Sequence, residues 1–126
     1  MNGLHLIADL KDCRCPPRQL LDAVWLAEFC VGACRRHGVT VVGQLFHSFS
    51  TDQGQPAGVT GTVVLAESHL AIHTWPELAG VTLDVYVCNY SGDNSARAHG
   101  LFDEVIAAFD PATKTTKTVT RGRPGD

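Results

Sequence analysis

The stretch VTLDVYVC at residues 81–88 indicates the fold more clearly than any other part of the sequence. Its apolar side chains occupy every second position, which is the pattern of a β-strand whose two faces meet different surroundings. The apolar face consists of Val81, Leu83, Val85 and Val87, and the polar face consists of Thr82, Asp84, Tyr86 and Cys88. We therefore expect one face of this strand to lie on a core and the other to carry function.

Five further segments have the composition of β-strands. Alternating or β-branched residues predict strands at residues 3–10, 39–49, 59–66, 69–75 and 113–121. The last of these, TKTTKTVTR, contains two lysines, which are typical of a strand that protects a sheet edge. The segment STDQGQPAG at 50–58 consists of turn-forming residues and predicts a loop.

Two segments have helical periodicity. The residues from Arg18 to His37 carry a wide apolar stripe, and Gly38 suits the end of a helix. A second helix is expected to begin after a cap at Asp93 or Asn94 and to present apolar side chains as far as Phe109.

The order strand, helix, four strands, helix, strand predicts the fold class. Strands joined by short turns pair antiparallel, and two helices can cover only one face of the sheet. We therefore expect an α+β two-layer sandwich, with a mainly antiparallel sheet and two helices on one face. The second face, to which the polar side of 81–88 belongs, must then meet solvent or a partner.

Composition limits the classes of function. A chain of 126 residues that is 44% hydrophobic can bury one core, so residues 1–126 are expected to form a single domain. The net charge of −3 argues against a nucleic-acid binder, which needs a basic excess. No apolar run approaches the ~18 residues of a membrane span, and MNGLHLIADL does not resemble a signal peptide. A cytoplasmic protein with reduced thiols is expected.

Four of the five cysteines form two close pairs, which are Cys13 with Cys15 and Cys30 with Cys34. Neither pair has the spacing of a zinc knuckle, and the second pair falls within an apolar helix. We interpret them as small buried hydrophobic residues and predict no metal site.

The segment ESHLAIHTWPE at 67–77 places polar residues with reactive side chains between two apolar strands. Ser68 and His73 could act as a nucleophile and a base, but a Ser–His pair alone is a weak signal for a hydrolase. The sequence lacks the Gly-x-Ser-x-Gly elbow, so hydrolase chemistry is not favoured.

ESHLAIHTWPE, with GVTGTVVLA before it and VTLDVYVC after it, resembles the short prokaryotic S-adenosylmethionine decarboxylase proenzymes. These are pyruvoyl-dependent enzymes of polyamine biosynthesis, and the similarity extends from GLHLIADL through FHSF at 46–49. The resemblance implies self-cleavage between Glu67 and Ser68 into a beta chain, 1–67, and an alpha chain, 68–126. Ser68 would become the pyruvoyl group, which forms a Schiff base with the substrate amine and replaces pyridoxal phosphate as the electron sink. Neither pyridoxal phosphate nor a metal is implied.

The resemblance also assigns proton-transfer roles. It implies that His73 handles protons during processing and that Cys88 reprotonates the decarboxylated substrate. It further implies a second processing hydroxyl, which is usually serine in this family and is Thr60 here. The added methyl group of threonine could slow maturation.

Substrate contacts follow from the same resemblance. Phe49 is implied to stack on adenine, Glu77 to accept hydrogen bonds from the ribose hydroxyls, and Trp75 to border the pocket. The expected reaction converts S-adenosylmethionine to its decarboxylated form and carbon dioxide for spermidine synthesis, in a homodimer of processed protomers.

Two alternatives stay open at this point. The cleavage motif indicates that a pyruvoyl group forms, but it does not indicate which substrate the enzyme decarboxylates. Decarboxylation of ornithine or arginine on the same scaffold therefore remains an alternative. The 50–58 loop is longer than usual for the family, and Ser48 replaces a more frequent basic residue. The alternative of another class is a non-catalytic binding module that stays uncleaved.

Overall fold

The computed structural model describes residues 2–90 and 92–122. Within them the chain forms six strands, three α-helices and one 3-10 turn. In chain order these are β1 (Asn2–Cys13), α1 (Arg18–Leu21), α2 (Ala23–Arg36), β2 (Val41–Ser50), β3 (Pro56–Leu65), β4 (Ser68–Trp75), the 3-10 turn (Pro76–Leu78), β5 (Gly80–Cys88), α3 (Ser95–Phe109) and β6 (Pro111–Gly122).

All six strands belong to one sheet, in the order β2-β3-β4-β5-β1-β6, and every neighbouring pair is antiparallel. The four strands β2, β3, β4 and β5 follow one another in the sheet as they do in the sequence, and short connections join each to the next. The first strand, β1, lies between β5 and β6. The predicted α+β sandwich with a mainly antiparallel sheet is confirmed. The predicted edge strand is also confirmed, since β6 is the last strand on its side of the sheet.

The core lies between one face of the sheet and the helices. Alternate residues of the strands are buried there, as Leu6, Leu70 and Val85 are in β1, β4 and β5. The helices contribute fully buried side chains such as Leu26 and Phe109. In β1, β4 and β5, the alternation read from the sequence therefore identifies which side of the strand faces the core.

The first predicted helix is wrong in one respect, because it is not continuous from Arg18 to His37. Asp22 has extended backbone angles, and its Oδ1 accepts hydrogen bonds from the backbone N–H groups of Val24 (3.0 Å) and Trp25 (3.1 Å). Asp22 therefore ends α1 and caps α2, because a short carboxylate satisfies the free N–H groups of a new helix better than it continues an old one.

The start of β3 and the hydrogen bonding at the cap of α3 also differ from the expected ones. β3 begins at Pro56, inside the segment predicted to be a loop. Asn94 occupies the cap position of α3, but its side chain makes no capping hydrogen bond, and the Asp93 carboxylate accepts from the N–H of Ser95 at 2.9 Å. Asn94 is therefore available for another contact, described below.

Cys13, Cys30 and Cys34 are buried, as predicted for small hydrophobic residues, whereas the prediction is wrong for Cys15, which is only partly buried. Burial raises the pKa of the Cys34 thiol to about 12, so at neutral pH it is protonated. A buried protonated thiol is a poor metal ligand.

The face of the sheet that points away from the helices, here called the open face, is uncovered in the protomer. It carries five exposed large apolar side chains, which are Leu45, Phe49, Val64, Trp75 and Val119. Polar and aromatic residues stand beside them in regular cross-strand rows. None of the described helices combines the length and the apolar composition needed to cross a bilayer.

Candidate functional site

A tight turn precedes the first residue of β4. Leu65 and Ser68 pair across the hairpin, and Ala66 and Glu67 form the turn between them. Glu67 has a φ of 61°, in the left-handed region, where a residue other than glycine costs roughly 1–2 kcal/mol. Conformational strain is therefore stored at the residue whose carbonyl the expected cleavage would attack.

Ser68 and Cys88 meet at this end of the sheet. The Ser68 Oγ accepts a hydrogen bond from the backbone N–H of Cys88 at 3.3 Å. Cys88 ends β5 and is 6% exposed, and its carbonyl accepts from the side-chain amide of Asn94 at 3.0 Å. Asn94, at the amino end of α3, thus holds the end of β5 to which Ser68 is hydrogen-bonded.

A cavity of about 300 Å³ adjoins the turn, and its lining includes Glu67, Ser68, Asn94 and Arg97. The Arg97 guanidinium donates to Asn94 Oδ1 at 2.8 Å, which orients it within this lining. The cavity therefore combines a hydroxyl, an amide and a fixed positive charge, with room for part of a small molecule. We call Glu67, Ser68, Cys88 and this cavity the cleavage end.

Thr60 and His73 form a second group. They face each other on the open face, with Thr60 Oγ1 and His73 Nδ1 3.0 Å apart. A hydroxyl and an imidazole at this distance can exchange a proton.

The three expected substrate contacts lie near this second group. Trp75 is 44% exposed and lines a groove of about 670 Å³, and its Nε1 donates to Thr82 Oγ1 at 3.4 Å. Phe49 is 48% exposed and packs edge-on against His47, with ring centroids 4.6 Å apart. Glu77 lies in the exposed 3-10 turn that follows Trp75.

The protomer separates these two groups along β4. Ser68 is the first residue of β4 and Trp75 the last. At roughly 3.3 Å per residue, His73 is ~17 Å and Trp75 ~23 Å from Ser68. We call the distant group the aromatic end; its members are Phe49, Thr60, His73, Trp75 and Glu77. One protomer therefore does not bring all the sequence-predicted site residues together.

Sequence reasoning assigned no role to a third group, at the middle of the open face. Asp84 Oδ2 lies 2.8 Å from His5 Nε2 and 2.8 Å from His69 Nε2. One ligand atom from each of these three residues lies within 4.8 Å of the others, so by distance alone they could surround a cation. Strand alternation places each residue on the polar face, but only the pairing of β1, β4 and β5 shows that they touch.

Comparisons with known proteins agree with this architecture. A family model described as S-adenosylmethionine decarboxylase matches residues 4–122. The S-adenosylmethionine decarboxylase proenzyme of Pseudomonas aeruginosa is 41% identical over 86 residues, which cover 68% of this chain and 49% of that protein. The proenzyme of Parasynechococcus marenigrum is 42% identical over 88 residues, covering 70% of this chain and 63% of the relative. The chain thus spans about half to under two thirds of the length of these curated relatives.

A solved structure is similar over a larger share of its length. The crystal structure of the adenosylmethionine decarboxylase from Aquifex aeolicus superimposes with a TM-score of 0.81 at 33% sequence identity. The match covers 96% of this chain and 91% of that one. Sequence and fold therefore point to the same group of proteins.

Proposed function

Since the chain belongs to the S-adenosylmethionine decarboxylase family, we propose that it is a cytoplasmic proenzyme that cleaves itself before Ser68 and then decarboxylates S-adenosylmethionine. The products are decarboxylated S-adenosylmethionine, which serves spermidine synthesis, and carbon dioxide. The observation that carries the proposal is the turn at Glu67 and Ser68, whose left-handed φ of 61° strains the scissile residue.

The proposed cleavage uses only groups of this chain and one water molecule. Ser68 Oγ attacks the Glu67 carbonyl carbon, the amide C–N bond breaks, and an ester forms while the Ser68 amine is freed. Removal of the Ser68 α-proton then breaks the Cβ–Oγ bond, and Glu67 leaves as a carboxylate that retains this oxygen. The remaining unsaturated residue takes up water and loses ammonia, which leaves a pyruvoyl group at position 68. Opening the turn releases the strain at Glu67, which favours cleavage.

The cleavage end has features that suit this group. When formed, the pyruvoyl group supplies a carbonyl that takes the substrate amine and accepts electrons during loss of carbon dioxide. The Cys88 N–H already contacts Oγ of the residue that is converted, at 3.3 Å, so the Cys88 thiol belongs to a residue adjacent to the reacting centre. We propose that Cys88 returns the proton. The proposal requires no pyridoxal phosphate or metal.

The two ends of β4 lead us to propose a symmetric homodimer in which two open faces pack together. A two-fold axis between the faces, perpendicular to β4, reverses the strand direction and brings the cleavage end of one copy to the aromatic end of the other. His73 and Thr60 of the second copy then stand over the start of β4, where Ser68 follows the turn with its side chain on the helix side, and we propose that they serve its processing there. Five exposed apolar side chains on the open face, from Leu45 to Val119, support burial there.

The size of the open face is adequate for such a dimer. Six strands ~4.8 Å apart and about eight residues long cover on the order of 600–800 Å². This is close to the ~800 Å² that each partner buries in a standard interface.

The aromatic end supports S-adenosylmethionine as the substrate. Phe49 and Trp75 offer exposed rings on which an adenine can stack, and Glu77 offers an acceptor for ribose hydroxyls. Ornithine and arginine have no aromatic group to stack on these rings.

Mass spectrometry and a substrate assay test the proposal together. The purified protein should contain fragments 1–67 and 68–126, the second blocked by a pyruvoyl group, whereas Ser68→Ala should remain one chain. Carbon dioxide should be released from S-adenosylmethionine in preference to ornithine and arginine under identical conditions. A wild-type chain that stays whole would identify a non-catalytic module, and release from ornithine or arginine alone would overturn the substrate.

A further inference from the structure

Asp84 accepts two hydrogen bonds on one oxygen, and one of the donors is the residue next to Ser68. His5 Nε2 and His69 Nε2 each lie 2.8 Å from Asp84 Oδ2. The three side chains are only 20–38% exposed in the protomer. We propose that Asp84 is a positioning residue, which acts through His69 to hold residue 68 in place after cleavage. This inference rests on the proposed function.

The tautomer of neutral His5 follows from its contact with a fourth residue. Arg121 Nη1 lies 3.3 Å from His5 Nδ1, and a guanidinium can only donate. His5 Nδ1 is therefore the acceptor, and neutral His5 carries its proton on Nε2, where it donates to Asp84. The hydrogen bonds form a chain across β6, β1 and β5 that ends on His69 of β4.

The same geometry disfavours a cation at this group. A metal would need the lone pair of His5 Nε2, which would move the ring proton to Nδ1, opposite Arg121. Two donors would then face each other at 3.3 Å. Hydrogen bonding between His5, Asp84 and His69 is the arrangement that fits all four residues.

After cleavage, the position of residue 68 depends more strongly on the hydrogen bond between His69 and Asp84. In the intact chain, Ser68 pairs with Leu65 across the hairpin, is joined to Glu67 by its peptide bond, and accepts a hydrogen bond from the Cys88 N–H at its Oγ. The proposed reaction removes the last two of these, because the peptide bond breaks and Oγ departs with the Glu67 carboxylate. Residue 68 then becomes a chain terminus, and termini fray unless they are tied down.

His69 is the residue best placed to tie down the new terminus. Its backbone pairs with Tyr86 in β5, its ring lies 5.8 Å from the Tyr86 ring, and its Nε2 reaches Asp84. A reacting group displaced by about 1 Å can lose ~10²-fold in rate. Loss of the Asp84 contact should therefore impair the processed enzyme much more than the precursor.

The test compares Asp84→Ala and His69→Phe with His69→Gln and a control. His69→Phe keeps a ring but removes the donor, whereas the Gln amide can replace Nε2 and donate to Asp84. Asp103→Ala removes a carboxylate from the exposed surface of α3 and is the matched control. Each protein is measured for processing by intact mass, for kcat and KM, and for hydrogen exchange in the peptide that begins at residue 68.

We expect Asp84→Ala and His69→Phe to process, to lose ~10²-fold in kcat with little change in KM, and to exchange faster at the start of β4. His69→Gln should recover part of the kcat, and Asp103→Ala should match the wild type. In the uncleaved Ser68→Ala chain, adding Asp84→Ala should leave exchange at the start of β4 unchanged.

Two results would overturn the positioning role. One is wild-type kcat and exchange in processed Asp84→Ala or His69→Phe; the other is an equal rise in exchange in the cleaved and uncleaved chains, which would indicate a general structural role. If Asp84→Ala does not fold, His69→Phe decides the question. A wild type that neither cleaves nor releases carbon dioxide would instead refute the proposed function.

Discussion

At the cleavage end, neighbouring residues combine strain, proximity and burial. Glu67 holds a left-handed φ of 61°, and Ser68 Oγ accepts from the N–H of Cys88 at 3.3 Å. Cys88 is 6% exposed, so water has little access to the residue proposed to deliver the proton. A protein acid in a site with little water can place its proton more selectively than solvent can.

Cys88→Ala should separate processing from turnover. Processing should proceed, because Ala keeps the backbone N–H that contacts Ser68, whereas kcat should fall by ~10²–10⁴ through loss of the acid. Intact mass and initial rates measure the two steps. Cys15→Ala, which removes a half-buried thiol elsewhere in the chain, is the control. Turnover of processed Cys88→Ala at the wild-type rate would require another proton donor.

Among the elements, the β2–β3 hairpin supports the aromatic end, because Phe49 lies on one strand and Thr60 on the other. Gly61 and Phe46 are cross-strand partners on the core-facing side of the hairpin, where Phe46 packs on the core. A Cβ at Gly61 would lie 2.1 Å from Phe46 Cδ2, so the aromatic ring occupies the space that any side chain would need. Glycine at this position lets the edge strand close onto the core.

Gly61→Ala should destabilise the fold by ~1–3 kcal/mol, because the added methyl group overlaps the Phe46 ring and forces the hairpin apart. Gly43→Ala is the matched control in the same hairpin, since a Cβ there meets nothing within 4 Å. Urea unfolding of both variants in the uncleaved Ser68→Ala chain measures the free energy of unfolding. Equal stability of the two variants would show that Phe46 moves aside without cost.

Across residues 2–90 and 92–122, the sheet has helices on one side only. An uncovered sheet face bearing five large apolar side chains is unusual for a monomer and is typical of a surface that a partner covers. Because His73 is far from Ser68 along β4, a second copy that covers this face could supply the His73 that the proposed processing at Ser68 requires. Oligomerisation and processing are therefore expected to depend on each other.

Leu45→Lys should weaken the dimer and slow processing. Leu45 is 76% exposed on the open face, and two-fold symmetry places one such lysine from each copy in a buried apolar interface. Val42→Lys is the control, because Val42 is 67% exposed on the same strand but lines a groove on the helix side. Sedimentation and intact mass measure both effects. Full processing by a monomeric Leu45→Lys protein would rule out a site shared between copies.

The fold class, the approximate strands and the ESHLAIHTWPE turn could be predicted from the amino-acid sequence. These features are local: alternation of apolar residues follows from the geometry of a single strand, and cleavage chemistry needs adjacent residues such as Glu67 and Ser68. The break at Asp22 was missed because a helix interior and a cap position both accept aspartate, and packing chooses between them.

The contacts between residues distant in the sequence could not be predicted and are seen in the folded sheet. His5, His69, Asp84 and Arg121 come from four strands, and their contacts depend on the register in which β4, β5, β1 and β6 pair. The same register and strand length place His73 far from Ser68 and make one protomer insufficient for the proposed site. Pairing register depends on the packing of the whole sheet, because a shift by one residue exchanges the two faces of a strand.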